Sequence, residues 1–411
     1  MPPAPHRVGQ PSPLIFHLGV ALAAYGQALM AAPRADSPSF PWKGPVPDPE
    51  TFADLDQVEI AREIAARLNA TIAGLETWQD HPYRRTLREP PAIWSAGCSR
   101  LADYGAAPEA TDPAGPPILV VPSLINRAYI LDLAPDRSLL RWLAAQGFRP
   151  LLMEWGDPGP AEAAFDLEAY GRERLLPALA EARRLAGRPV PLVGYCMGGT
   201  LAVGLAARRP EDVSALVTVG APWDFASTSG LAGGLRAMIR AEGTTRTERQ
   251  IDALGAAFGL VPVPVFQMIF ALINPIQAAL KFQRLARLDP DGPAARLFVA
   301  LEDWLADGVA MPVGAAKDLL IAWQIRNTTA TRRWRFLGAP VDPRRATAPA
   351  LVICGETDTI AAPPLSRPLA AALPRAETLM ARTGHVGMVV GSAARAEVWR
   401  PMATFLGAHL G

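Results

Sequence analysis

The chain is short of the residues from which many functional devices are built. Three cysteines in 411 residues, Cys98, Cys196 and Cys354, form no C-x-x-C pair and no even framework. That excludes a disulfide scaffold and suits a reducing compartment. Charge of one sign is lacking too, with 40 Lys and Arg against 39 Asp and Glu and a net charge of +1. No basic run alternates with aromatics, so a surface that tracks phosphates is excluded and no nucleic-acid partner is expected. A phosphate-cradling glycine loop is absent as well, and neither a cofactor nor a metal is expected. An apolar run of membrane length is also missing. Leu14 to Met30 (LIFHLGVALAAYGQALM) is interrupted by His17, Tyr25 and Gln27 and falls short of the ~20 residues that span a bilayer. With Ala31-Ala32-Pro33 behind it, this segment has a loose likeness to an export signal. The alternatives are a helix packed on the main domain or one lying on an apolar surface, and a cytoplasmic protein is the expectation.

What the chain does have is apolar substance. Hydrophobic residues make up 50% of it, enough for one large core with an appended segment. The first 48 residues are rich in Pro and Ala and read as poorly ordered apart from the apolar helix. Residues 49–115 read as a helical N-terminal cap, with Asp48, Glu50 and Asp54 at the positive end of its first helix. His81, in this region, has no partner motif and reads as a packing or surface residue. From Pro116 onward short apolar runs appear: Ile118 to Val121, Pro150 to Trp155, Val190 to Val193, Ala215 to Val219 and Ala350 to Cys354. Runs apolar on both faces with helical segments between them imply a mostly parallel sheet covered on both sides. The division expected is a core over 116–225, a helical lid insertion over 226–337, and the rest of the core over 338–411.

One stretch carries a reaction. Val193 to Thr200 reads VGYCMGGT, in which Gly194-Tyr195-Cys196-Met197-Gly198 has the G-x-S-x-G spacing of a nucleophile elbow with sulfur replacing oxygen. It follows an apolar run and precedes a helical pattern that begins with small residues, which is the strand, turn and helix that the elbow requires. A thiol nucleophile needs a base. By elimination among five histidines, and by chain order, that base is His385 in Thr383-Gly384-His385-Val386-Gly387. Asp358, in Gly355-Glu356-Thr357-Asp358, completes the order Cys, Asp, His of an α/β-hydrolase, with Glu356 and Asp224 as rivals. Backbone N–H groups of Met197 and of Leu124, in the loop after the first apolar run, are the expected oxyanion donors.

These stretches together resemble the polyhydroxyalkanoate synthases, cysteine-dependent members of the α/β-hydrolase superfamily. LVVPSLINRAYILDLAPDRSLLRWLAAQGFRPLLMEW is similar to that family's first strand, oxyanion loop and following helix and strand, VGYCMGGT to its lipase-like box, and GETDTIAAP and GHVGMVV to its acid and histidine loops. The resemblance implies an acyl-carrying Cys196, His385 as its base, and Asp358 assisting His385 or activating the incoming hydroxyl. It also implies 3-hydroxyacyl-coenzyme A as substrate, a growing polyester as product and a place at the surface of polymer granules. Two departures stand out: Thr359 occupies the position after the aspartate where the family usually has histidine, and the N-terminal part, including HPYRRTLREPPAIWSAG, does not match the best-known synthase classes. The nearly uncharged Leu260 to Phe282 suits a channel for an apolar chain, lid core or a homodimer contact. A thioesterase or polyester depolymerase on the same residues, and a catalytically idle granule-surface protein, are the competing readings.

Overall fold

The computed structural model describes residues 18–19, 21–23, 25–26, 56–272 and 275–410. The expectation of poor order over 1–48, and most of the apolar segment 14–30, lie outside these. The chain divides into two compact units, one of residues 1–84 with 267–306 and the other of 85–266 with 307–411.

The smaller unit is helical. Helix α1, Gln57–Asp80, begins where the Asp56 carboxylate accepts the Val58 N–H at 2.9 Å, satisfying one of the donors that a helix start leaves open. Leu75 and Trp78 of α1 form a core with Phe282, Leu285, Ala295 and Val299, and Leu18 packs against it. The Trp78 indole N–H donates to Asp303 at 3.0 Å. His81 is consumed here: its Nε2 meets the Pro290 carbonyl at 2.8 Å, and its Nδ1 accepts the Tyr83 N–H at 3.0 Å. It is a packing residue, as the sequence suggested.

The larger unit is an α/β-hydrolase fold. Its sheet contains β1 (Ala92–Ala96), β2 (Ser99–Asp103), β3 (Pro117–Val121), β4 (Arg149–Glu154), β5 (Val190–Tyr195), β6 (Val213–Val219), β7 (Ala350–Gly355) and β8 (Ala376–Ala381), in the order β1-β2-β4-β3-β5-β6-β7-β8. The strands from β4 to β8 pair in parallel, with Leu119 opposite Leu192 and Ile353 opposite Val219. Strands β3, β5 and β7 are buried throughout, which is why they read as continuous apolar runs.

The expected helical cap over 49–115 is corrected by β1 and β2. They form an antiparallel hairpin whose second strand pairs with β4, leaving α1 as the long helix of that region. Their local pattern is strand-like, and Gly97 at φ 56° opens the two-residue turn between Ala96 and Ser99. The insertion is also less uniform than expected. Residues 267–306 group with α1, whereas 307–337 group with the sheet. Among the described residues no helix is long and apolar enough to cross a membrane.

Candidate active site

Strand β5 ends at Tyr195 and helix α2, Met197–Arg208, begins two residues later. The whole reversal falls on Cys196, at φ 55° and ψ −130°. A side chain other than glycine in this region costs about 1–3 kcal/mol, and such strain persists only where the surroundings impose it. Here the constraint is visible. The Cys196 N–H donates to the Val219 carbonyl at 2.9 Å and its own carbonyl accepts from Gly199 at 2.9 Å. The glycines on either side leave the room: a Cβ at Gly194 would lie 2.4 Å from the Gly199 Cα, and one at Gly198 would lie 2.2 Å from the Val121 carbonyl oxygen. The second contact seats the first turn of α2 on the exit of β3. The sulfur therefore stands where the positive end of a helix begins, which favours negative charge.

His385 is buried beside it. Its Nδ1 bonds the Asp358 Oδ2 at 2.7 Å, while the Asp358 Oδ1 accepts the N–H groups of Ile360 and Ala361, each at 2.8 Å. The acid is thus held from both oxygens. A Cβ at Gly220 would come within 3.0 Å of the imidazole, so the ring sits over the end of β6, next to the Val219 carbonyl that holds Cys196. The Tyr195 ring flanks it with centroids 5.2 Å apart. Burial opposes protonation of His385, but the charges of Cys196 and Asp358 and their hydrogen bonds prevail and raise the imidazole to about 10. Its Nε2 is buried without a conventional partner, leaving that nitrogen for the thiol and for a reacting group.

The rivals for the acid are elsewhere. Glu356 is exposed on the turn after β7, and the Asp224 carboxylate accepts from Asn327 at 2.8 Å and from the Ala226 N–H at 3.0 Å. Thr359 is exposed, and its carbonyl accepts the Leu231 N–H at 2.8 Å at the start of helix α3, Gly230–Glu242. Met197 is the first residue of α2, and Leu124 is buried in the loop after β3, where the Ser123 hydroxyl accepts the Ile125 N–H at 3.2 Å. Among the described residues no cluster of three or more His, Cys, Asp or Glu can hold a metal ion. A thiol, a carboxylate-supported imidazole and backbone donors at a helix start are the parts of nucleophilic acyl transfer.

Sequence reasoning missed two features. Tyr195 was read only as a spacer in the elbow, although it is the aromatic wall of His385. The loop carrying Leu124 is clamped by Arg127, Asp157 and Asp307, and partners 180 residues apart leave no local motif.

Comparison with known proteins identifies the family. The chain is 32% identical over 365 residues to the poly(3-hydroxyalkanoate) polymerase subunit PhaC of Haloferax mediterranei, spanning 85% of this chain and 70% of that one. It belongs to the PhaC family. A second PhaC, from Haloarcula marismortui, is 29% identical over 291 residues, 70% of this chain and 60% of that one. Residues 93–143 match the family described as the poly-beta-hydroxybutyrate polymerase (PhaC) N-terminus. That match begins in the hairpin that departs from the expected cap and runs through β3 and the Leu124 loop. The likeness to an α/β-hydrolase fold protein from Nakamurella multipartita covers 75% of this chain and 96% of that one at 22% identity, with a TM-score of 0.45. As a member of a polymerase family, the chain is an enzyme.

Proposed function

We propose that this chain polymerises 3-hydroxyacyl groups from coenzyme A thioesters through an acyl-thioester on Cys196. The observation that carries the reading is the strained Cys196 at the start of α2, with the buried His385–Asp358 pair beside it. In the first half-reaction the thiol proton passes to Nε2 of His385 and the sulfur attacks the thioester carbonyl. The N–H groups of Met197 and Leu124 receive the charge on the carbonyl oxygen. The bond to coenzyme A sulfur breaks, and the imidazolium returns its proton to the departing thiolate. In the second, His385 takes the proton of a 3-hydroxyl, whose oxygen attacks the acyl-cysteine to form an ester; the C–S bond breaks with its electron pair on sulfur, and Cys196 is left as a thiolate beside the His385 imidazolium, ready for the next acyl group.

Sulfur in place of oxygen suits this sequence of events. Exchange between two thioesters is nearly isoenergetic, so the acyl group on Cys196 keeps its activation until a hydroxyl arrives. Asp358 holds Nδ1 and stabilises the imidazolium. On this reading the partners are the acyl-coenzyme A and the growing polyester, and the enzyme works in the cytoplasm at the surface of the polymer granule.

The test is to supply 3-hydroxybutyryl-coenzyme A to the full chain. The expected outcome is coenzyme A release with an insoluble polyester and a radiolabelled acyl group on Cys196, both lost in Cys196→Ala. Asp358→Asn is expected to slow elongation more than first acylation. Coenzyme A release matched mole for mole by free 3-hydroxybutyrate would make the enzyme a thioesterase and overturn the proposal.

A further inference from the structure

The loop that carries Leu124 is joined to a segment far away in sequence. Beyond Leu124, the Ile125 carbonyl accepts the Val309 N–H at 3.2 Å, and Asn126 forms an isolated antiparallel bridge with Gly308. The same strap is paired on its far side, where Met311 and Val261 exchange two backbone hydrogen bonds of 3.0 and 2.8 Å. At its head the Arg127 Nε donates to Asp307 at 3.1 Å, while the Arg127 Nη2 takes both oxygens of Asp157, in the loop after β4, at 2.7 and 3.0 Å. Leu124, Arg127 and Asp307 also line one cavity of about 360 Å³ at the carboxyl ends of β3 and β4, together with Glu154 and Trp155.

These contacts have one mechanical result. The first part of the loop is fixed by the sheet, since Pro122 accepts the Trp155 indole N–H at 3.1 Å and abuts Gly198. Its last part has no strand to hold it and is fixed by the strap and by the guanidinium. Leu124 lies between the two anchors. An oxyanion donor works only if it waits at the place where charge develops, and an error near 1 Å in a reacting geometry costs about 10²-fold.

We infer that Arg127 and Asp307 are positioning residues that set the Leu124 N–H against the carbonyl oxygen of the acyl group. The inference rests on the acyl-Cys196 reading above and assigns neither residue a contact with substrate. Two nitrogens of one planar guanidinium serve the two carboxylates, Nε for Asp307 and Nη2 for Asp157, a fixed geometry that the single nitrogen of a lysine does not reproduce.

The experiment uses the full chain, 3-hydroxybutyryl-coenzyme A and iodoacetamide, with alkylation at Cys196 followed by peptide mass mapping. Alkylation needs the nucleophile but no oxyanion donor. For Asp307→Asn the expected result is a fall in kcat of about tenfold or more, part of what loss of a whole donor costs. KM is expected to stay within about twofold, alkylation of Cys196 to be unchanged, and Asp307→Glu to recover activity. Arg127→Lys is the second variant, with the same expected split. Wild-type kcat in both Asp307→Asn and Arg127→Lys would overturn the inference, as would parallel losses of kcat and of Cys196 alkylation, which would place the defect in the nucleophile or the fold. Failure of the wild-type chain to form acyl-Cys196 would overturn the parent reading and this one with it.

Discussion

Gly198→Ala is the sharpest probe of how the elbow and the oxyanion loop share space. The added methyl would lie 2.2 Å from the Val121 carbonyl oxygen and 2.4 Å from that of Pro122, where ordinary contact begins at 3.4 Å. Both neighbours are backbone, so no side chain can swing aside. Either α2 or the loop leading to Leu124 must retreat by about 1 Å, and a displacement of that size at a reacting centre costs about 10²-fold, equivalent to about 2.7 kcal/mol of transition-state stabilisation. Overpacking at such a site also removes about 1–3 kcal/mol of stability, so Tm should fall by a few °C while the chain stays folded. Gly234→Ala is the matched control: it lies in α3 with nothing within 4 Å of its added Cβ, and alanine in a helix is favoured over glycine by about 1 kcal/mol. The assay is release of coenzyme A followed with a thiol reagent, alongside thermal unfolding of both variants. A Gly198→Ala enzyme with kcat/KM within about twofold of wild type would refute the claim that this glycine sets the spacing between nucleophile and oxyanion donors.

Two further outcomes follow from the same site. His385 is raised from its ordinary value to about 10 in the folded chain, so its protonated form contributes stability that is complete below about 6.5, the unfolded value. This contribution fades as pH rises from there through about 10, and the Tm advantage of wild type over His385→Gln should shrink across that window; an advantage that grows with pH would contradict the ion-pair account. At Cys196, glycine should tolerate φ 55° better than alanine. Against the extra freedom glycine has when unfolded, Cys196→Gly should be more stable than Cys196→Ala by about 1 kcal/mol. Equal urea midpoints at equal m would remove the strain from the argument.

The core of the site was legible because its elements are local. VGYCMGG compresses strand, turn and helix into one stretch, and the acid follows a strand that is buried along its whole length, while the histidine, after the half-exposed edge strand β8, was reached by elimination and chain order. Asp358 was separable from Glu356 and Asp224 only by chain order, whereas the structure separates them by contact: Asp358 alone of the three bonds His385. The hairpin over 92–103 was hidden because AIWSA and SRLAD are five residues each and are broken by Ser95, Ser99, Arg100 and Asp103, lacking the continuous apolar signal of buried strands. The division of the insertion at residue 306 was hidden for a different reason. Both sides are largely helical in pattern, and which core each helix face meets is decided by tertiary packing rather than by period.

The short hairpin also bears on how the chain survives beside copies of itself. An open sheet has two margins of unsatisfied peptide groups, and each is a template on which another chain can add. Strand β1 closes one margin with five residues and an irregular register between Ala92 and Trp94, a poor surface for continued pairing. At the opposite margin β8 is six residues long, carries the exposed Glu377 and is followed by exposed Arg382, so an incoming strand would meet charge. Neither margin offers a long, regular and uncharged template, and the sheet remains a scaffold for the site above it.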